Sequence, residues 1–249
     1  MAASRLTPVL SLASMLALWV VAAGLTNDAQ ILPTPWQLLP LFAQEFASGD
    51  LLTHLGATLV RVLWAFTLAM SLGTVLGLIM GRSTATNRWL DPWLVIFLNL
   101  PALVLIVLCY LWIGLTEAAA ITAVTLNKVP NVAVVIREGA RALDPDLDAM
   151  AKVYRMSWWT RQRHVVFPQL APFVAAAARS GVAVIWKIVL VVEFLGRSSG
   201  VGFQIHLHFQ LFDVAMVLVY AFAFIGVMLT VEWLLLQPAE RRSRRWRTA

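Results

Sequence analysis

The sequence predicts an all-α integral membrane protein that crosses the bilayer six times, and three observations carry that reading. First, 60% of its 249 residues are hydrophobic and only 13% are charged, against about 25% charged in soluble domains. Such a chain has too little polar surface to cover a soluble globule, and its mean hydropathy of +0.79 excludes disorder. Second, six apolar stretches are each long enough to cross a hydrocarbon core, which takes about 20 helical residues. Third, the cations are distributed asymmetrically about those stretches. Lipid offers no partner to backbone polar groups, so each stretch must be a helix.

The expected spans are residues 6–27, 56–81, 90–114, 117–136, 172–194 and 213–236, within a single transmembrane domain covering 1–249. The first lies between Arg5 and Asp28. It reads as a retained helix because it exceeds the 7–15 residues of a signal core and carries Trp19 near its end. A cleaved signal remains open, since Ala22, Ala23 and Gly24 are small. In the second span Gly73, Gly77 and Gly81 recur every four residues, a spacing that lets another helix approach closely. Pro101 in the third span and Pro130 in the fourth remove amide donors and should kink their helices. The fourth is broken by Lys128, and the fifth carries Arg179, Lys187 and Glu193. The sixth precedes a basic tail with Arg241, Arg242, Arg244, Arg245 and Arg247. A basic cluster just after an apolar span reads as a membrane anchor rather than as a nucleic-acid site.

With the N-terminus inside, the inner segments hold Arg5, Arg82, Arg88, Arg137, Arg141, Lys152, Arg155, Arg161, Arg163 and the five tail arginines, 14 of the 19 cations. The positive-inside rule therefore places both termini in the cytoplasm. Residues 137–171 become the one large inner loop. Arg61 falls at a span edge, and the outer segment 28–53 carries Asp28, Glu45 and Asp50.

The loop is helical by pattern. Leu147, Met150, Ala151, Tyr154 and Trp158 recur at helical spacing, and Asp144-Pro145 forms a good helix start. A second short helix is expected over 159–166, stopped by Pro168. Such a pair can dock a cytoplasmic partner or rest on lipid.

A charge at mid-bilayer should face the bundle interior or a cavity. Lys128, Lys187 and Glu193 are therefore candidates for a translocation path, with structural neutralisation as the alternative. Glu193 lies about 240° around the helix from Lys187, so those two should not pair. Other chemistry is thin. Cys109 is the one cysteine, so neither a disulfide within the chain nor a cysteine-based metal site is available. His206-x-His208 alone is a weak metal signal, and Asp91 and Glu117 read as span-edge charges. No phosphate-loop motif is present.

The stretch from Asp148 to Pro168 resembles the cytoplasmic loop of binding-protein-dependent ABC importer permeases, whose pattern runs Glu-Ala-Ala, three residues, Gly, and later an apolar residue and Leu-Pro. Anchored on Pro168, the Glu-Ala-Ala positions fall on Ala149, Met150 and Ala151, and the Gly on Arg155. Ala151, Ser157, Val165-Val166 and Pro168 fit; the Glu and the Gly are missing. Leu32-Pro-Thr-Pro35, Thr58-Leu-Val-Arg-Val62, Leu111-Trp-Ile-Gly114 and Ser199-Gly-Val-Gly-Phe203 resemble, in order, segments of the nitrate/sulfonate/taurine-type branch.

The resemblance implies a six-helix permease of type I importer fold, usually a homodimer. A dimer of cytoplasmic ABC ATPases, which hold ATP and Mg, would dock on Ala149, Met150, Ala151, Tyr154, Arg155, Met156, Ser157 and Pro168. A periplasmic or lipoprotein solute-binding protein would deliver substrate, and this chain would need no cofactor of its own. Nitrate, sulfonates, taurine, phthalate-like acids, bicarbonate and pyrimidine precursors all remain open as solutes. A secondary transporter or channel without ATPase partners is the competing class, and a membrane-embedded enzyme or scaffold a third for which no catalytic constellation is visible.

Overall fold

The computed structural model describes residues 3–26 and 28–236, which places Asn27 and the five tail arginines outside the described residues. Every regular element among the described residues is helical. In order these are α1 (Ala3–Thr26), α2 (Pro35–Ser48), α3 (Asp50–Arg82), α4 (Thr84–Asn99), α5 (Ala102–Ile113), α6 (Glu117–Arg141), α7 (Pro145–Val153), α8 (Trp158–Arg161), α9 (Phe167–Gly196), α10 (Val201–Gln210) and α11 (Val214–Val231).

Among the described residues four uninterrupted helical stretches, Asp50–Arg82, Glu117–Arg141, Trp158–Gly196 and Val214–Leu234, are long and apolar enough to cross a membrane. The expected continuous span over 90–114 is corrected. It is a broken pair, α4 and α5, bent by 98°. Pro101 is the cause: it lacks an N–H and drives the preceding residue out of the helical region, and Leu100 is extended at φ −70°, ψ 124°. Counting that pair as one crossing gives five. The candidate for a sixth is α1, whose apolar stretch is Leu10–Thr26.

Helix limits also differ from the expected spans. α3 begins at Asp50 and runs 33 residues, and α6 continues to Arg141. Pro168 does not stop the second loop helix. α8 passes through a π-helical turn, Gln162–Val166, straight into α9. The Phe167 N–H reaches back to the Gln162 carbonyl, so the ladder shifts by one residue just before proline, which needs no acceptor.

The core is α3 packed along α6, with α9 across both. Small side chains, including Ala65, Ala69, Ala120, Ala123 and Ala133, are fully buried along these contacts. Gly73, Gly77 and Gly81 lie on the α3 face against α6. A Cβ on Gly73 would stand 2.6 Å from the Val132 Cβ, one on Gly77 2.5 Å from the Ala133 carbonyl oxygen, and one on Gly81 2.5 Å from the Ala140 Cβ. Without a backbone this close, the helices could not pack on their small residues. α1 is tied in by Trp19, which stacks on Phe222 of α11 at 5.3 Å and donates its Nε1–H to the Pro33 carbonyl at 3.1 Å.

Candidate functional site

The loop between α6 and α9 is built from local capping rules. Asp144 caps α7, accepting from the Asp146 N–H at 2.8 Å, with Pro145 at the first helical position. The helix ends in a Schellman motif: Met156 N–H donates to the Ala151 carbonyl at 3.0 Å and Arg155 N–H to the Lys152 carbonyl at 3.0 Å. Arg155 takes the left-handed position of that motif at φ +46°, a conformation glycine adopts without strain. Ser157 then caps α8, accepting from the Thr160 N–H at 3.2 Å.

Asp148 locks the two short helices together. Its Oδ1 accepts from Arg161 Nε at 2.9 Å and from Arg161 Nη2, and lies 3.4 Å from Arg82 Nη2 at the end of α3. Lys152 adds a contact at 3.6 Å. The Arg161 guanidinium holds the Asp148 carboxyl below the usual 3.8, with smaller help from Arg82 and Lys152. A second tie joins the base of the loop to α4: Arg137 pairs with Asp91 and donates to Asn87 Oδ1 at 3.3 Å. Asp91 is thus an anchor between helices rather than an isolated span-edge charge.

The residues expected to meet a partner differ in exposure. Ala149, Tyr154, Arg155, Ser157 and Pro168 are exposed, and Met150 and Met156 are half-buried. Ala151 is buried at 1% exposure, so its methyl packs inside the loop and cannot seat in a partner cleft. What the loop presents instead is Val153, Tyr154, Trp158 and Trp159, all more than 60% exposed.

At the opposite end of the bundle lies a charge network that the sequence reading missed. Arg61 is 4% exposed, not a surface charge at a span edge. All five of its N–H donors are used. Nε and Nη2 form a fork on Glu117, each at 2.7 Å. Nη1 donates to Glu193 Oε1 and to the Ser199 carbonyl, and Nη2 also reaches Ser199 Oγ, all at 2.7 Å. Arg197 adds a bond to Glu117 at 2.6 Å.

Glu193 has no exposed surface. Its second oxygen accepts from Thr58 Oγ1 at 3.0 Å and from the Gly202 N–H at 2.9 Å. The turn into α10 closes over this carboxylate. Gly200 takes φ +110°, a Cβ there would overlap the Glu193 carboxyl, and a Cβ on Gly202 would strike the Leu190 carbonyl. The sequence carried only part of the signal: Thr58 and Arg61 lie one turn apart in an apolar run that also holds Gly56 and Val62, which marks a shared helix face but not the partners it meets.

The three path candidates are not brought together. Lys128 is 4% exposed and lies against α9, its Cε 3.3 Å from where Gly181 would carry a Cβ. Lys187 is exposed on another face of α9. Glu193 faces neither lysine; its carboxylate is used up by Arg61, Thr58 and Gly202, which corrects its place among path-lining groups. Of the histidines, His54 Nδ1 accepts from the Gly200 N–H at 3.0 Å, His206 contacts Gln210 at 2.9 Å, and His208 lies 3.6 Å from Asp213. Among the described residues no three His, Cys, Asp or Glu side chains converge on a metal-sized site.

Long apolar helices, a broken span and a capped, pinned loop between two of the longest helices define a polytopic membrane protein. Residues 73–241 match the family described as the binding-protein-dependent transport system inner membrane component, and the chain belongs to that family. It is similar to a putative aliphatic sulfonates transport permease of Bacillus subtilis (strain 168), at 31% identity over 78% of this chain and 70% of that one. A protein of the same description from Escherichia coli (strain K12) is 32% identical over 98% of this chain and 93% of its own length. The taurine transport system permease of the same organism is 26% identical over 95% of this chain and 88% of its own. A crystal structure of an amino acid ABC transporter with histidines shares the fold, with a TM-score of 0.64 at 21% identity, over 80% of this chain and 97% of that one. The chain is therefore an ABC importer permease, the inner-membrane component of a transport system whose ATPase is a separate subunit; it is a transport component, not an enzyme.

Proposed function

We propose that two copies of this chain form the path of an importer for a small anionic solute, of the sulfonate, taurine or nitrate kind. Both termini face the cytoplasm, a placement that the cation bias supports, and residues 137–171 are the inner loop. An ATPase dimer holding ATP and Mg docks on that loop, and a solute-binding protein delivers solute at the opposite end, where Arg61 and α10 lie. ATP favours one permease conformation only by binding the two states with different affinity, and the docked loop, moving as a body, carries that difference to the spans.

The observation that carries this reading is the construction of the loop. Val153, Tyr154, Trp158 and Trp159 are exposed on a unit pinned to α3 by Asp148 and Arg82, so a push on those side chains reaches the bundle. The solute class comes from relatives named as sulfonate, taurine and nitrate permeases.

The test combines topology, docking and uptake. Ser157→Cys in a Cys109→Ser background should react with an impermeant thiol reagent only from the cytoplasmic side; labelling from outside intact cells overturns the orientation. Tyr154→Ala with Trp158→Ala should release the ATPase on purification while the permease stays in the membrane. Uptake of radiolabelled taurine, an alkanesulfonate and nitrate by the assembled complex should be ATP-dependent for at least one, and failure of all three overturns the solute class.

A further inference from the structure

α9 has one face that nothing among the described residues covers. Ser180, Ala183, Lys187 and Val191 follow one another at helical spacing and all are exposed, whereas Gly181, Ile185, Ile188 and Val192 on the other side are buried. Lys187 lies nine residues before the end of α9 at Gly196, about 14 Å down the axis. Among the described residues it has no carboxylate within ion-pair distance, whereas Arg61 and Arg197 nearer that end are both paired.

Bare lipid is a poor environment for this ammonium. A charged side chain at that depth is costly unless it reaches an interface, a partner or water. Reaching the near interface is opposed by geometry, because the Cα–Cβ bond of a helical residue tilts toward the helix N-terminus. On α9 that direction leads away from Gly196 and over Ala183, one turn deeper, whose single methyl leaves room. Lys128 also lacks an ion pair among the described residues, but it differs in burial, at 4% exposure. It is buried between α6 and α9 against Gly181, out of reach of a solute moving along the outside of α9.

We infer that the Ser180–Ala183–Lys187–Val191 face of α9 borders a water-filled path, and that Lys187 is the charge that selects anions there. This rests on the anionic-solute reading above. An apolar wall carrying one unpaired cation raises the local concentration of small anions without a tight site, and the anion must still be able to leave. The small Ser180 and Ala183 keep that wall open on the loop side of the charge.

The test reads water and charge directly and needs no knowledge of the natural solute. In the assembled complex, in a Cys109→Ser background, Ala183→Cys is treated with two methanethiosulfonates of similar size, one bearing a sulfonate and one a trimethylammonium. Rates are normalised to those of each reagent with a small free thiol. Both reagents should react, with the sulfonate favoured about tenfold, the lower end of the enrichment a charged cleft produces. Lys187→Met should abolish the preference, Lys187→Arg should keep it, and Lys128→Met should leave it intact. A cysteine unreactive to both reagents, or a preference that survives Lys187→Met, overturns the inference. Uptake by the same Cys109→Ser complex is measured alongside. Failed labelling with intact anion uptake removes the Lys187 assignment alone, whereas preferential labelling with no anion uptake removes the solute class and leaves the anion-selective face standing.

Discussion

Arg61 Nη1 lies 2.7 Å from Glu193 Oε1 in a region where both side chains are at most 5% exposed. The pair joins α3 to α9, and the remaining bonds of the two side chains extend it to α6 through Glu117 and to α10 through Gly202. Four helices thus meet at one guanidinium and one carboxylate. Burial of two charges is costly, and such a pair is tolerable only when every remaining donor and acceptor is satisfied. Here Arg61 uses five donors, and both Glu193 oxygens accept.

Removing one partner should therefore be far worse than removing both. Arg61→Met leaves Glu193 buried and unpaired, an arrangement that costs about 3–5 kcal/mol. Arg61→Met with Glu193→Met should recover much of that loss. Glu117→Gln should cost about 1 kcal/mol or less, because the Glu117 side chain is half exposed. Unfolding in detergent, followed by tryptophan fluorescence, checks the cycle. Additive losses for Arg61 and Glu193 would show that the pair does not act as a unit.

The glycine seam between α3 and α6 gives a second contrast. Gly77→Ala places a Cβ 2.5 Å from the Ala133 carbonyl oxygen and 3.0 Å from the Arg137 nitrogen, both backbone atoms. Backbone cannot swing aside as a side chain can, so a loss of about 1–3 kcal/mol is expected from overpacking. Gly56→Ala, on the same helix with nothing within 4 Å, should gain about 0.5–1 kcal/mol from helix propensity. Opposite signs in the same unfolding assay are the expected result, and equal shifts would remove the seam as their cause.

Composition and span length were enough for the membrane class and the all-helical fold, because lipid leaves the backbone few alternatives. The ordered motifs from Leu32-Pro-Thr-Pro35 to Ser199-Gly-Val-Gly-Phe203 were enough for the family. What lay outside their reach was set by partners distant in sequence. Arg61 read as an edge charge because Glu117 and Glu193 are 56 and 132 residues away, and no local pattern links them. Ala151 read as an exposed contact because periodicity gives a helix two faces without saying which is covered. The 98° break at Pro101 read as a kink for a similar reason: proline specifies a lost hydrogen bond, while packing decides how far the chain turns.

Arg155 tests how the loop manages without glycine. At φ +46° it holds the left-handed position that closes α7, which costs a residue with a Cβ about 1–2 kcal/mol. Arg155→Gly should steady the Schellman turn by about 1 kcal/mol, reduced somewhat by the extra freedom glycine brings to the unfolded chain. Slower amide exchange at Arg155 and Met156, whose N–H groups close that turn, is the expected reading. Faster exchange there would mean that the Arg155 side chain contributes more than its backbone costs.

Asp148 should matter for coupling rather than for membrane insertion. Its carboxylate holds α7 to α8 through Arg161 and to α3 through Arg82, and the loop side is partly open to water, with Asp148 at 26% side-chain exposure. Asp148→Asn should therefore leave the helical bundle intact, raise amide exchange across 145–161, and lower solute-stimulated ATP hydrolysis more than basal hydrolysis. Asp148→Glu should restore part of the coupling, since it keeps the charge. The sign of the pH effect follows from the depressed pKa of Asp148. Its ion-pair contribution is complete above the ordinary value of 3.8 and is lost only as the pH falls through the lower folded value. Between roughly pH 5 and 8 the difference between wild type and Asp148→Asn should consequently stay flat. A difference that shrinks as the pH falls from 8 to about 5 would place the relevant titration on another group.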